Sequence, residues 1–311
     1  MSLLRHALIL SAGMGTRLRP LTTVRAKPAV PVAGEALVRQ VIRRLAVEGI
    51  TEVVLNLHHL PHTIAAEVGD GSDLGVVARY SWEQPVVLGS AGGARLAAQL
   101  IEAGRFLSVN GDTLTTVSIE RLQAAHESLG TMVTLALTSH PDPLRYGGVW
   151  LDDHSRVTGF VKRGAGAVGS YHFLGVQIVE AEALAAVPLG QAVSSIGGLY
   201  DDLIKTKPGS IGAFLCDAEF WDIGTVTDYW NTSIALGVHD GPSAGRHARI
   251  DPTARVTRTI VWDNVDIGAN CVLDECIVTD GVRVAPDAHF RRTILLNGRD
   301  GVVATPFEVS A

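Results

Sequence analysis

The feature that most restricts the fold lies near the end of the chain. Residues 250–266, 267–283 and 284–300, written one below another, align at a period of 17. Ile250, Ile267 and Val284 form one column, Val256, Leu273 and Phe290 a second, and Ile260, Ile277 and Ile294 a third. A fourth column is polar: Asp263, Asp280 and Asn297. Aliphatic residues in register at a fixed period mean that each row is one coil, stacked on the next over a continuous core. Short β runs broken by small and turn residues, three to a coil, fit a parallel β-helix better than a helical repeat. Cys271 and Cys276 fall inside the rows and read as small coil residues. Asp240-Gly241-Pro242-Ser243-Ala244-Gly245 is the best linker in the chain, so two domains are expected, 1–240 and 246–300.

Upstream, strand-like and helix-like segments alternate. Ala7 to Leu10, Val53 to Leu55, Val76 to Trp82 and Phe106 to Val109 read as strands. Ala36 to Val47 carries Leu37, Val41, Ile42 and Leu45 at helical spacing, Pro61 suits a helix start, and Ala91 to Ile101 reads as helix. This alternation predicts βαβ units and a mainly parallel sheet, whose ligands bind at the carboxyl ends of the strands. Gly148 to Leu151 and Arg156 to Phe160, around a polar turn, predict a hairpin inserted over that crevice.

Composition narrows the class. In 311 residues, 47% are hydrophobic and 19% charged, enough to bury a sizeable core. The net charge of −6, without a Lys/Arg run, argues against a nucleic-acid binder. No apolar stretch approaches the ~18 residues of a membrane span. Three cysteines cannot make a disulfide framework, and the start of the chain reads as a strand, not a signal peptide. A soluble, cytoplasmic α/β protein is expected. His58-His59-Leu60-Pro61-His62 lacks a partner set with zinc spacing and reads as a polar connecting loop. Trp221 and Trp262 read as packing residues.

The sharpest motif follows the first strand: Ser11-Ala12-Gly13-Met14-Gly15-Thr16-Arg17-Leu18-Arg19-Pro20-Leu21-Thr22. Its glycines let the backbone approach an anion, successive amides can cradle phosphates, and Arg17 adds a planar cation. It is neither a P-loop nor a dinucleotide fingerprint. With Lys27-Pro28 and Pro31-Val32 close behind, it resembles the signature of the sugar-1-phosphate nucleotidylyltransferases. Asn110-Gly111-Asp112, Trp221-Asp222-Ile223-Gly224-Thr225 and the C-terminal coils extend the resemblance over nearly the whole chain. Within the family it looks most like the mannose-1-phosphate guanylyltransferase branch.

The resemblance implies a Rossmann-like α/β nucleotidyltransferase domain followed by a short left-handed parallel β-helix. It implies that a sugar 1-phosphate attacks a nucleoside triphosphate and releases pyrophosphate. The attacking group is already an oxyanion, so the catalyst needs alignment and charge stabilisation rather than a general base. Arg17 and Lys27 would supply cations, and Asp112 and Asp222 would hold Mg²⁺. Leu10, Ala12, Gly13, Gly15, Thr16, Gln84, Gly89 and Ser90 map to nucleotide binding. Gly147, Lys162, Arg163 and Gly175 map to the sugar phosphate. Lys162 stands where many relatives have Glu, Arg163 where they have Lys, and Phe173-Leu174-Gly175 keeps only the glycine of an Asn-Ala-Gly. GTP with mannose 1-phosphate is the first pair expected. Uridylyl, thymidylyl or adenylyl transfer to another sugar 1-phosphate is the alternative within the class, and a catalytically silent regulatory homologue and a β-helix acyltransferase are the alternatives outside it. The coil stack suggests a homo-oligomer.

Overall fold

The computed structural model describes residues 4–237 and 243–308. Asp240 to Pro242 of the expected linker lie outside the described residues. By its contacts the chain forms two units, residues 1–13 with 41–221 and residues 14–40 with 222–311.

The first unit is built on a nine-stranded sheet. Its strands, in chain order, are β1 (His6–Leu10), β2 (Glu52–Leu57), β3 (Val77–Trp82), β4 (Arg105–Asn110), β5 (Val133–Ser139), β6 (Gly148–Leu151), β7 (Val157–Val161), β8 (Tyr171–Glu180) and β9 (Ile211–Leu215). The spatial order is β7-β6-β8-β4-β1-β2-β3, with β5 paired to β8 and β9 to β5. The run β4-β1-β2-β3 is parallel throughout, as the alternating pattern requires. Ala7, Leu8 and Ile9 of its central strand are wholly buried, as expected of a strand covered on both faces. Strand β8 adds antiparallel pairings to β4, β5 and β6.

The expected hairpin exists, but it is not an insertion lying over the crevice. β6 and β7 pair with each other and continue the main sheet as its edge, through Tyr171 opposite Val149. Val149 and Val157 are buried in the main core, and that apolar contact holds the hairpin in the sheet plane. The helices fall close to their expected places. α1 spans Leu37–Val47 and α2 spans Pro61–Val68. α3 spans Gly89–Ala97, starting two residues before the expected Ala91 and closing in a 3-10 turn over Ala98–Leu100. α4 (Ile119–Leu129) is capped by Ser118, whose hydroxyl accepts from Arg121 N, and ends at left-handed Gly130. α5 covers Tyr200–Thr206.

The second unit opens with three single 3-10 turns, Thr16–Leu18, Leu21–Thr23 and Lys27–Ala29, and a small hairpin of Pro31–Val32 with Glu35–Ala36. α6 (Val226–Gly237) follows the return of the chain. A reciprocal box starts it: Asp228 N donates to Thr225 Oγ1 and Thr225 N donates to Asp228 Oδ2. Beyond it stand the coils. Ile260 pairs with Ile277 and Ile277 with Ile294, Ile250 with Ile267 and Ile267 with Val284, and Val256 with Leu273 and Leu273 with Phe290. All three apolar columns are therefore hydrogen-bonded ladders, one on each face of the stack. Cys271, Leu273, Cys276, Val278 and Val282 fill its interior at 0% exposure, and both cysteines are free thiols there. Positive φ recurs at the corner residues Arg258, Glu275 and Arg292. Glu275 is salt-bridged to the arginine of the coil before it at 3.2 Å and of the coil after it at 2.7 Å. Thr293–Gly298 and Gly301–Pro306 close the stack as an antiparallel pair.

Candidate active site

The first unit carries a cleft of about 240 Å³ at the carboxyl ends of β1 and β4. Leu10, Ala12, Gly13, Gly89, Ser90 and Asp112 all line it. These are five of the expected nucleotide residues and one expected metal ligand, gathered from three separate stretches of sequence. Gly111 explains how the Asp112 loop comes so close. Its N–H donates to Leu10 O at 2.9 Å, and a side chain there would meet the same oxygen at 2.9 Å. Gln84 is exposed and does not line the cleft.

Asn110, Val87, Asn56 and Glu83 complete the lining, and no motif marked the polar pair Asn56 and Glu83. Ser11 N donates to Asn56 Oδ1 at 2.6 Å, Asn56 Nδ2 donates to Glu83 Oε1 at 2.6 Å, and Leu88 N donates to Glu83 Oε2 at 2.6 Å. Glu83 is wholly buried and Asn56 is 3% exposed. This chain of bonds ties the start of the glycine-rich loop to the loop before α3. The available signal was Glu83 itself, an acid at the end of a strand beside an expected binding segment. On its other side that segment is held by Val193 and Ser195: Ala91 N and Gly92 N donate to Val193 O, and the Ser90 and Ser195 hydroxyls meet at 2.8 Å.

The four residues assigned to the sugar phosphate divide. Gly147 packs directly on Val161 to Arg163, so a side chain there would meet Val161 O at 2.8 Å. Lys162 and Arg163 are exposed next to it. Gly175 sits instead at the bulge of β8, against Asn110. An aromatic cluster borders Gly147. Tyr146 and Phe220 lie 4.6 and 4.7 Å, centroid to centroid, from the His172 ring, and His140 Nε2 is 3.2 Å from Gly147 O. Burial, with the neighbouring His140, pushes the His172 ring down to about 4.

The second unit holds Gly15, Thr16, Arg17, Lys27 and Asp222. Gly15 has φ 59°, and a Cβ on it would meet Thr22 Cγ2 at 2.8 Å and Lys27 Cβ at 3.3 Å. Only glycine serves there, because the loop folds back on the stem of Lys27. Lys27 is 7% exposed and Arg17 is exposed. Arg17, Asp222 and Asp228 converge on Gly224: a Cβ on that glycine would meet Asp222 Oδ2 at 3.0 Å, Asp228 Oδ2 at 3.1 Å and Arg17 Nη1 at 3.3 Å. Asp228 is a charged group of this cluster that the sequence reading did not single out. Among the described residues, no group of three or more His, Cys, Asp or Glu could hold a metal ion by itself.

The family model described as nucleotidyl transferase matches residues 6–237. The chain belongs to the sugar-1-phosphate nucleotidylyltransferases of that family. A second model, the GlmU-like C-terminal hexapeptide, matches residues 244–291 and makes the coil stack of this nucleotidylyltransferase a left-handed β-helix. Mannose-1-phosphate guanylyltransferase of Mycobacterium tuberculosis is 31% identical over 89% of this chain and 80% of its own length. UTP–glucose-1-phosphate uridylyltransferase of Synechocystis is 27% identical over 89% of this chain and 76% of its own. N-acetylmuramate alpha-1-phosphate uridylyltransferase of Neisseria meningitidis reaches 44% identity, but over 36% of this chain and 48% of its own. Among solved structures, HddC of Yersinia pseudotuberculosis superposes with a TM-score of 0.64 at 23% identity, over 75% of this chain and all of that one. This likeness supports the fold. As a nucleotidylyltransferase the chain takes a nucleotide and a sugar phosphate as substrates. Among the described residues, no helix is long and apolar enough to cross a membrane.

Proposed function

We propose that this nucleotidylyltransferase joins GTP to mannose 1-phosphate, releasing pyrophosphate and leaving GDP-mannose. The observation that carries the choice of pair is the guanylyltransferase relative, 31% identical along 89% of the chain. The cleft supports the nucleotide half of the reading. It puts small residues and backbone, Ala12, Gly13, Gly89 and Ser90, against a space of about 240 Å³, where a base and ribose can approach main-chain groups.

The attacking oxygen is an anion, so the work of the chain is to align two anions and balance their charge. Arg17 contacts the triphosphate as an exposed, permanent cation. Lys27, buried and held against Gly15, places its ammonium by the reacting phosphates. Gly147 lets its segment pack against Val161 to Arg163, and the exposed Lys162 and Arg163 receive the sugar phosphate. The metal fits the donor chemistry. Asp112 and Asp222 are half-buried carboxylates, and Mg²⁺ is commonly held by one or two carboxylates together with substrate phosphates. Bound there, Mg²⁺ would neutralise charge developing on the departing pyrophosphate. The enzyme is further read as a cytoplasmic homo-oligomer, for which light scattering at micromolar concentration showing a monomer would be the contrary result.

The test is pyrophosphate release with Mg²⁺ over a grid of nucleoside triphosphates and sugar 1-phosphates: mannose, glucose, N-acetylglucosamine, N-acetylmuramate and heptose. The strongest activity is expected at GTP with mannose 1-phosphate. A dominant signal with UTP would replace the proposed pair by a uridylyl transfer. A blank grid from protein that still binds nucleotide would point to a silent homologue. Asp112→Asn should lower turnover by about 100-fold or more.

A further inference from the structure

The second unit contains a charged assembly that the reaction does not explain. Arg25 is 8% exposed, in the segment between the glycine-rich loop and Lys27. Its guanidinium grips Asp280 with two bonds, Nε to Oδ2 at 2.6 Å and Nη2 to Oδ1 at 2.7 Å. The same Nη2 donates to Asp263 Oδ2 at 2.8 Å. These two acids are the first two members of the polar column, one on each of two successive coils. The third member is Asn297, which donates to Asp280 O and carries no charge. The column is thus acidic on the two coils that Arg25 reaches. Arg246 covers the remaining side of Asp263 at 2.7 Å. The indole of Trp262 lies under the guanidinium, with Arg25 Cζ 5.5 Å from the ring centre.

The bonds continue along the chain on both sides of Lys27. Arg25 Nη1 donates to Ala29 O at 3.4 Å, two residues beyond the lysine. Trp262 Nε1 donates to the Tyr229 hydroxyl at 2.8 Å, and that hydroxyl donates to Pro31 O at 2.6 Å. Residues 25, 29 and 31 are therefore fixed, and Arg25 and Tyr229 tie them to coil residues. Lys27 sits between them in a single 3-10 turn. A single turn has too few hydrogen bonds to hold its own geometry.

We propose that Arg25 is a positioning residue, and that the first two coils of the β-helix set the placement of Lys27 through it. This rests on the reading of Lys27 as the cation at the reacting phosphates. The β-helix is on this account part of the catalytic machinery: Asp263 and Asp280 orient the guanidinium fork, and the fork orients the lysine turn. An arginine suits the task because two of its N–H groups match one carboxylate while a third bond reaches the next coil, which a lysine cannot do.

The experiment uses full-length protein and the substrate pair found active in the grid. Asp280→Asn removes the charge at constant shape, Arg25→Lys keeps the charge but loses the fork, and Lys27→Ala sets the floor. Asp280→Asn is expected to lower kcat about tenfold with both KM values changed less than about threefold, and Arg25→Lys to do the same. The Asp280→Asn and Lys27→Ala double variant should be no slower than Lys27→Ala alone, because the positioning residue acts only through the lysine. Amide exchange by mass spectrometry, an independent readout, should show faster exchange at residues 27–30 in Asp280→Asn. Wild-type kcat and unchanged exchange in Asp280→Asn, beside an inactive Lys27→Ala, overturn the positioning claim while leaving the function of Lys27 intact. An additive loss in the double variant also overturns it. Full turnover in Lys27→Ala overturns the reading on which the claim rests, and the claim with it.

Discussion

The acidic network around Glu83 in the first unit and the one around Asp263 and Asp280 in the second both hold loops in place, and they are made differently. Glu83 takes its hydrogen bonds from an amide and a backbone N–H. Asp263 and Asp280 each accept one backbone N–H, from Arg246 and Asp263, and take their other bonds from guanidinium groups, one of which arrives from far back in the sequence. The reason is the surrounding backbone. Around Glu83 three neighbouring parallel strands end together, and their loops have free N–H groups to offer. On the coils, the ladder between rows leaves each of these two carboxylates a single backbone N–H, and long side chains meet the lone pairs that remain. The network around Glu83 is closed by neutral donors, whereas the one on the coils adds cations recruited from elsewhere in the chain.

The contrast can be broken by measurement. Glu83→Ala should have the largest effect, a loss of about 3 kcal/mol in urea denaturation, because it leaves the buried Asn56 amide and Leu88 N–H without their acceptor. Glu83→Gln retains one acceptor and should cost less than half as much; equal costs would show that charge, not hydrogen bonding, holds this network. Arg25→Met should cost about 2 kcal/mol, since Arg246 still covers Asp263 and Asp280 is partly open to water. Adding Asp280→Asn should recover part of that loss, and no recovery would argue that packing on Trp262 is the larger contribution.

A smaller effect is expected at His172. Its folded value of about 4 lies below the ordinary 6.5, so between those values the unfolded chain binds the extra proton. The stability it contributes is complete above pH 6.5 and is lost as pH falls toward 4. Thermal melts over that window should fall more steeply for wild type than for His172→Gln, and parallel curves would remove His172 from the account. Arg249→Ala should do least. Its pair with Asp266 joins side chains that are 78% and 42% exposed, and the change in stability should stay under about 0.5 kcal/mol. A larger loss would mean that single exposed rungs matter to the stack.

The columns at 250–300 were legible because a repeated coil states its register three times over. Parallel strands with helices between them were legible in the same way, from apolar runs and their spacing. The glycine-rich loop and Asp112 could be placed because each follows a strand. The hairpin at 148–161 misled: its polar turn suggested a flap, but Val149 and Val157, two inward-facing residues, seat it in the sheet. Asn56, Glu83 and Arg25 escaped because each is a single residue whose side-chain partners lie 27 to 255 positions away. Nothing short in the sequence marks such a partner. The polar column of Asp263, Asp280 and Asn297 did point at something, since acids have no place in a purely structural register.

The 17-residue repeat also behaves as a ruler. The Arg25 bonds to Asp263 and Asp280 engage the first two rows, and the antiparallel closing strands sit on the last. Any whole row added between them would lengthen the stack by about 4.8 Å and return the chain to the same angular position. The length of this tail is therefore free to vary in units of one coil, while its anchorage is not.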